Sequence, residues 1–128
     1  MDKYVSQWLE RSKYDLETAK AMLVAGRYFY VAYMCQQAVE KVLKAIIAQD
    51  GKENLPTHNL NRLAELAELR KELAGDQIDL MAELTAYNIE ARYGDYKESL
   101  LEVVDIRRAK VLLAQTQELF QWLCTKIR

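Results

Sequence analysis

Four glycines, Gly26, Gly51, Gly75 and Gly94, divide the chain into five stretches of helical length, and none of them alternates apolar and polar residues as a strand would. Glycine lacks a side chain and proline lacks an N–H, so both punctuate helices. The only proline, within GKENLPTHNL, marks the longest loop. The first stretch, about Asp2 to Ala25, places Val5, Leu9, Ser12, Leu16, Ala19 and Leu23 on one helical face, and Gly26 suits the position just past its C-terminus. A second helix ends near Asp50. A third, capped by Thr57 or Asn59, carries Leu60, Leu63, Leu66, Ala67 and Leu73. A fourth, about Asp76 to Ala91, uses Leu80, Leu84, Tyr87 and Ala91. A fifth, about Asp95 to Lys126, shows Ile106, Ala109, Leu113, Thr116, Phe120, Leu123 and Ile127 in heptad-like steps. Short connections favour antiparallel neighbours. The expected fold is therefore all-α, an antiparallel up-and-down bundle of four to five helices forming one domain over residues 1–128.

The second stretch, FYVAYMCQQAVEKVLKAII from Phe29 to Ile47, is apolar over more of its circumference than a surface helix needs. At about 100° per residue, Tyr33, Gln37, Glu40 and Lys44 fall in a strip about 60° wide, flanked by Tyr30, Gln36 and Lys41. Such a helix packs on two sides and leaves one polar seam. That seam is either a solvated face, supported by the Glu40 to Lys44 pair, or a polar groove at a dimer or partner interface. The excess apolar surface favours a homodimer, closed by helix two or helix five.

The net charge is −1, so nothing draws the whole molecule toward phosphate backbones or anionic membranes, and any contact with RNA must come from a local patch. No apolar run is long enough to span a membrane, and the N-terminal MDKYVSQWLERSKYD is too charged for a signal peptide, which makes the cytoplasm the expected compartment. Cys35 and Cys124, far apart and in apolar helical context, read as reduced core thiols. One histidine and two distant cysteines do not make a structural zinc site, and no Glu-x-x-His pair is present to hold a di-iron centre. The isolated glycines form no phosphate loop. No metal or cofactor is expected, a nucleotide ligand excepted.

Four places carry possible chemistry. The seam is the first. The second is NIEARYGDYKE, Asn88 to Glu98, where Arg92 offers a planar fork for phosphate or carboxylate and Tyr93 or Tyr96 a stacking face, unless Arg92 pairs with a local acid such as Glu90 or Asp95. The third is His58, a loop anchor or an acid–base group. The fourth is RRAK, Arg107 to Lys110, the densest basic spot, flanked by Asp105 and read as a solvated face before an RNA site.

The order of YDLETAKAMLVAGRYFYVAYMCQQAVEKVLKAII, GKENLPTHNL and NIEARYGDY resembles the HEPN domain, named for its occurrence in higher eukaryotes and prokaryotes and for nucleotide binding. The matching elements are Asp15 and Ala19 on helix one, the second helix, His58 before helix three, and the ARYGD turn. The resemblance implies an all-α bundle that dimerises, is encoded beside or fused to a minimal nucleotidyltransferase, and works as half of a toxin–antitoxin module. The ARYxD signature would make Arg92, Tyr93 and Asp95 the functional residues, with Gln37, Glu40 and Lys44 supporting. Many such domains are metal-independent ribonucleases with an arginine four to six residues ahead of a histidine. Here positions 51 to 53 read Gly, Lys and Glu, and no histidine other than His58 exists. The leading expectation is thus a binding and regulatory partner of a nucleotidyltransferase. The alternatives are a ribonuclease with a degenerate site drawn from Arg92, Tyr93 and His58, and a structural dimer without ligand.

Overall fold

A computed structural model describes residues 1–93 and 104–128, the Tyr93 side chain excepted. Among these, five α-helices and one 3₁₀ turn account for the regular structure: α1 (Lys3–Val24), α2 (Tyr28–Gln49), α3 (Leu60–Leu66), the 3₁₀ turn (Arg70–Glu72), α4 (Gly75–Tyr93) and α5 (Ile106–Cys124). The all-α bundle expected from the sequence is the observed fold.

Three of these helices stop in the same way. After α1, Gly26 turns left-handed at φ +76°, and Arg27 N–H reaches back to Met22 O at 2.8 Å. After α2, Gly51 does so at φ +72°, with Lys52 N–H on Ile47 O at 3.2 Å. Each satisfies carbonyls that the helix end would otherwise strand, in the Schellman arrangement. The third instance was not legible from glycine spacing. Helix α3 ends at Leu66 because Glu68, a residue with a Cβ, takes φ +61° while Leu69 N–H reaches Ala64 O at 3.0 Å. Helix three is thus shorter than the sequence suggested, and Leu73 joins the core from beyond the 3₁₀ turn. Gly75 opens α4 instead of closing its predecessor.

The starts of α1, α3 and α5 are capped by side chains, whereas Arg27, just ahead of α2, makes no such cap. Asp2 accepts from Tyr4 N–H at 2.7 Å, Asn59 from Arg62 N–H at 3.2 Å and Asp105 from Arg108 N–H at 2.8 Å. Of the two caps expected for α3, Asn59 is the one used. The cap at Asp105 also places the start of α5 later than the sequence reading had it; residues 95–103 lie outside the described part. Ile106, expected in the core stripe, is 46% exposed because it occupies the first position of that helix.

Helix α2 is the centre. It packs against α1, α3, α4 and α5, and Val31, Ala32, Cys35, Ala38, Val39, Val42, Leu43, Ala45 and Ile47 are all fully buried. Leu60 and Leu63 of α3, Met81 and Leu84 of α4, and Leu112, Leu119 and Leu123 of α5 close the core around it. Both cysteines are free thiols; Cys35 is buried and Cys124 half-buried.

Candidate functional site

The polar seam of α2 is not a solvated face. Gln36 is 0%, Gln37 8%, Glu40 3% and Lys44 9% exposed. What covers the strip is the chain itself. The connection from α2 to α3 is laid back along residues 36, 40 and 44, which stand one helical turn apart. Asn54 Nδ2 donates to Lys44 O at 3.3 Å, His58 Nδ1 meets Glu40 Oε1 at 2.9 Å, and Gln36 Nε2 donates to His58 O at 2.9 Å. Lys52 ties the other edge of the same connection to the end of α3, donating to Leu66 O at 2.9 Å.

Gln36 is the hub. Its Nε2 donates to Glu40 Oε1 at 3.0 Å as well as to His58 O, and its Oε1 accepts from Gln37 Nε2 at 2.7 Å and from Asn88 Nδ2 at 2.8 Å. Two donor hydrogens and two lone pairs are all used, which is what a fully buried amide requires. Burial alone would raise the Glu40 carboxyl, but hydrogen bonds from Gln36 and His58 and the adjacent Lys44 charge outweigh it and hold Glu40 below its ordinary range. Lys44 Nζ donates to Glu40 Oε2 at 3.1 Å and lies 5.5 Å from the centre of the Trp8 ring, so its charge is shared between a carboxylate and an aromatic face.

Helix α4 brings the second candidate alongside. Asn88 is 1% exposed, and its Oδ1 has no partner among the described residues. One turn further along the same face, Arg92 is exposed and makes no ion pair among them. Tyr33 is half-buried, its ring edge-on to Tyr30 at 6.4 Å. The structure therefore gathers Gln37, Glu40, Lys44 and His58 into one network, and Asn88 extends it toward Arg92. Tyr93 ends α4, while Asp95 and Tyr96 lie outside the described residues.

The sequence reading gave no role to Asn88, although it opens the second candidate stretch, nor to Asn54, Thr85 and Trp8. Asn88 had a signal: it follows Leu84 by one turn, a polar side chain on an apolar stripe. Thr85 had none: its hydroxyl donates to Met81 O within α4 at 2.8 Å, and the long-range bond it accepts, from Leu60 N–H at 3.1 Å, comes from a distant part of the chain. The basic spot RRAK is divided: Arg108 is bound by Glu83, which also accepts from Tyr87 Oη at 2.8 Å, whereas Arg107 and Lys110 stay exposed. Among the described residues no cluster of His, Cys, Asp and Glu could hold a metal ion.

An all-helical bundle whose central helix carries a buried Gln–Glu–Lys strip, engaged by a histidine ahead of the third helix, defines the class. The HEPN domain family model matches residues 5–127, and the chain belongs to that family. The crystal structure of TT1696 from Thermus thermophilus superposes with a TM-score of 0.83 at 24% identity, covering 98% of this chain and 100% of that one. The crystal structure of ST0689, an archaeal HEPN homologue, gives 0.76 at 22% identity with both chains covered in full. At these identities the two show the fold. A stretch of 49 residues, 38% of this chain, is 39% identical to "Putative toxin MJ1304" of Methanocaldococcus jannaschii and spans 32% of that protein's length.

Proposed function

We propose that this chain is the binding and regulatory half of a two-component module of toxin–antitoxin type, pairing with a minimal nucleotidyltransferase in the cytoplasm. The observation that carries the reading is Arg92: an exposed guanidinium with no ion pair among the described residues, one turn above a buried Asn88 whose carbonyl oxygen is also unmatched. A fork of five donors is suited to a phosphate-bearing ligand or to an acidic partner loop. Tyr93, Asp95 and Tyr96 follow Arg92 in sequence and are assigned with it to ligand or partner binding in this reading, as are Tyr33, Gln37, Glu40, Lys44 and His58. Membership of the HEPN family and the partial likeness to a protein named as a toxin support the module. The binding unit is a homodimer in this reading. Co-expression with a minimal nucleotidyltransferase from the source genome tests it: the wild-type chain co-purifies in near-equal amount and Arg92→Ala does not. An Arg92→Ala chain that keeps its fold, its partner and any nucleotide affinity would sink the assignment.

The second reading is a metal-independent ribonuclease. The Arg-x4-6-His spacing is missing, but His58 sits 2.9 Å from a buried carboxylate, an arrangement suited to proton transfer. RNA breakdown in the presence of a chelator, abolished by His58→Ala or Arg92→Ala, is its signature.

A further inference from the structure

In the proposed module Glu40 and Lys44 meet the partner, yet they are 3% and 9% exposed, and the connection from α2 to α3 is what covers them. That cover is lightly held. None of residues 50–59 is buried, and Leu55, its one large aliphatic side chain, lies outside both the core and the side chains packed against it. Among the described residues, no backbone-to-backbone hydrogen bond involves residues 53–58. Side-chain bonds do the holding: Lys52 to Leu66 O and to the exposed Glu68 carboxylate, Asn54 to Lys44 O, Gln36 to His58 O, and Glu40 to the His58 ring. The borders are fastened separately. Lys52 N–H closes the left-handed turn at Gly51 onto Ile47 O, and Leu60, fully buried, gives its N–H to Thr85.

The strip beneath keeps most of its bonds without the cover. Gln36 retains Glu40, Gln37 and Asn88, and Glu40 retains Gln36 and Lys44. Lifting the cover brings water to an amide, a carboxylate and an ammonium, which water solvates, where an ordinary core would present apolar surface. The cost of opening is therefore local, and the rest of the bundle does not share it. We infer that residues 52–59 are a strap that lifts as one unit from a folded bundle, and that the module's protein partner reaches Glu40 and Lys44 only while the strap is raised. This rests on the proposed function, which assigns those two side chains to partner binding. The partner's apparent affinity is then reduced in proportion to the fraction of chains that stand open.

The test is carboxylate labelling of the native chain by a water-soluble carbodiimide with glycinamide, read at Glu40 by peptide mass spectrometry. Iodoacetamide labelling of Cys35, which lies fully buried in the core, reports global unfolding in the same sample. Glu40 is expected to label while Cys35 does not. Asn54→Ala and Lys52→Ala each remove a tie that does not touch Glu40, so each raises Glu40 labelling about two- to tenfold, the change in opening that one hydrogen bond accounts for, with Cys35 unaffected. Should Asn54→Ala disturb the fold, Cys35 labelling rises with it and Lys52→Ala decides. Glu40 labelling that only keeps pace with Cys35, or that responds to His58→Ala alone, overturns the strap as a unit. With the minimal nucleotidyltransferase as the probe, Asn54→Ala binds more tightly by the same factor that its Glu40 labelling rises. Faster labelling with unchanged affinity overturns the gating. A wild-type chain that takes up no nucleotidyltransferase overturns the module and the gating with it, whereas the lifting of the strap is decided on the free chain.

Discussion

Glu68 is the residue at which local strain is most plainly spent on a turn. Its φ of +61° belongs to the left-handed region, which costs a residue with a Cβ roughly 1 kcal/mol relative to glycine. Its ion pair with Lys52 at 3.3 Å does not repay this, because the Glu68 side chain is 80% exposed and such pairs contribute little. Glu68→Gly is therefore expected to raise the urea midpoint, by about 0.5–1 kcal/mol in stability. An unchanged or lower midpoint would show that the turn is not limiting. Glu40 makes the opposite case, a side chain whose surroundings favour its charged form. Its folded-state carboxyl lies below the ordinary 4.5, so the folded chain binds that proton less readily than the unfolded chain. The resulting stability is fully present above about pH 4.5 and is lost as pH falls through the folded-state value. Urea titrations from pH 6 down to pH 3 check the sign: Glu40→Gln lowers stability near neutrality and flattens the acid limb relative to wild type.

At the scale of elements, the α2–α3 connection is the part whose placement depends most on polar bonds. Leu60 N–H, Asn54, His58 and Lys52 are each held by a specific acceptor or donor, and Gln36 binds four groups at once, the His58 carbonyl among them. Gln36→Leu keeps the volume roughly and removes every one of those four bonds, leaving the Gln37 and Asn88 amides and the His58 carbonyl unmatched. Unmatched buried polar groups cost about 1–3 kcal/mol each. A loss of about 3 kcal/mol or more in chemical denaturation is expected, with amide exchange over residues 52–59 accelerating more than exchange in the α1–α2 pair. Uniform acceleration along the chain would show that the hub serves the whole core and not this connection. Helix α5 is anchored differently: Asp105 caps it, and Arg108 is joined to Glu83, whose second ligand is Tyr87. Burial, and then the Glu83 carboxylate, push the Tyr87 hydroxyl up to about 12, so that phenol stays protonated and donating across the range in which the protein would work.

For the molecule as a whole, burial ranks the two thiols. Burial pushes the Cys35 thiol up to about 12 against a smaller opposing effect of the Thr116 hydroxyl, while Cys124 is raised by burial and partly offset by Lys13. The thiolate is the reactive form. Alkylation at neutral pH should thus reach Cys124 first and reach Cys35 only at the rate of global unfolding; equal labelling of both would contradict the packing of α2. The whole chain is also the scale at which Arg92 belongs. As an exposed side chain without an ion pair among the described residues, its replacement by alanine should change stability by no more than about 0.5 kcal/mol, so any loss of partner binding in that variant reports on the surface and not on the fold.

Periodicity and punctuation in the sequence determined the helices, because an apolar stripe at helical spacing and a glycine that can turn left-handed act within a few residues. Leu16, Leu43, Leu84 and Leu123 all enter the core from stripes visible in the sequence. The sequence singled out Glu40 and Lys44 on the narrow strip of α2 and His58 as a separate place; that His58 meets Glu40 became visible only in the structure. What the sequence left open was whether that strip is wet. A residue's exposure depends on what another part of the chain lays over it, and no local pattern in residues 36–44 shows that Asn54 and His58 return to cover them. Glu68 was missed for the related reason that its unfavourable conformation is imposed from outside, by α3 ending where α4 and the 3₁₀ turn must begin. Tertiary structure alone decided these two matters, because both are settled by contacts between residues too far apart in sequence for propensity or spacing to couple them.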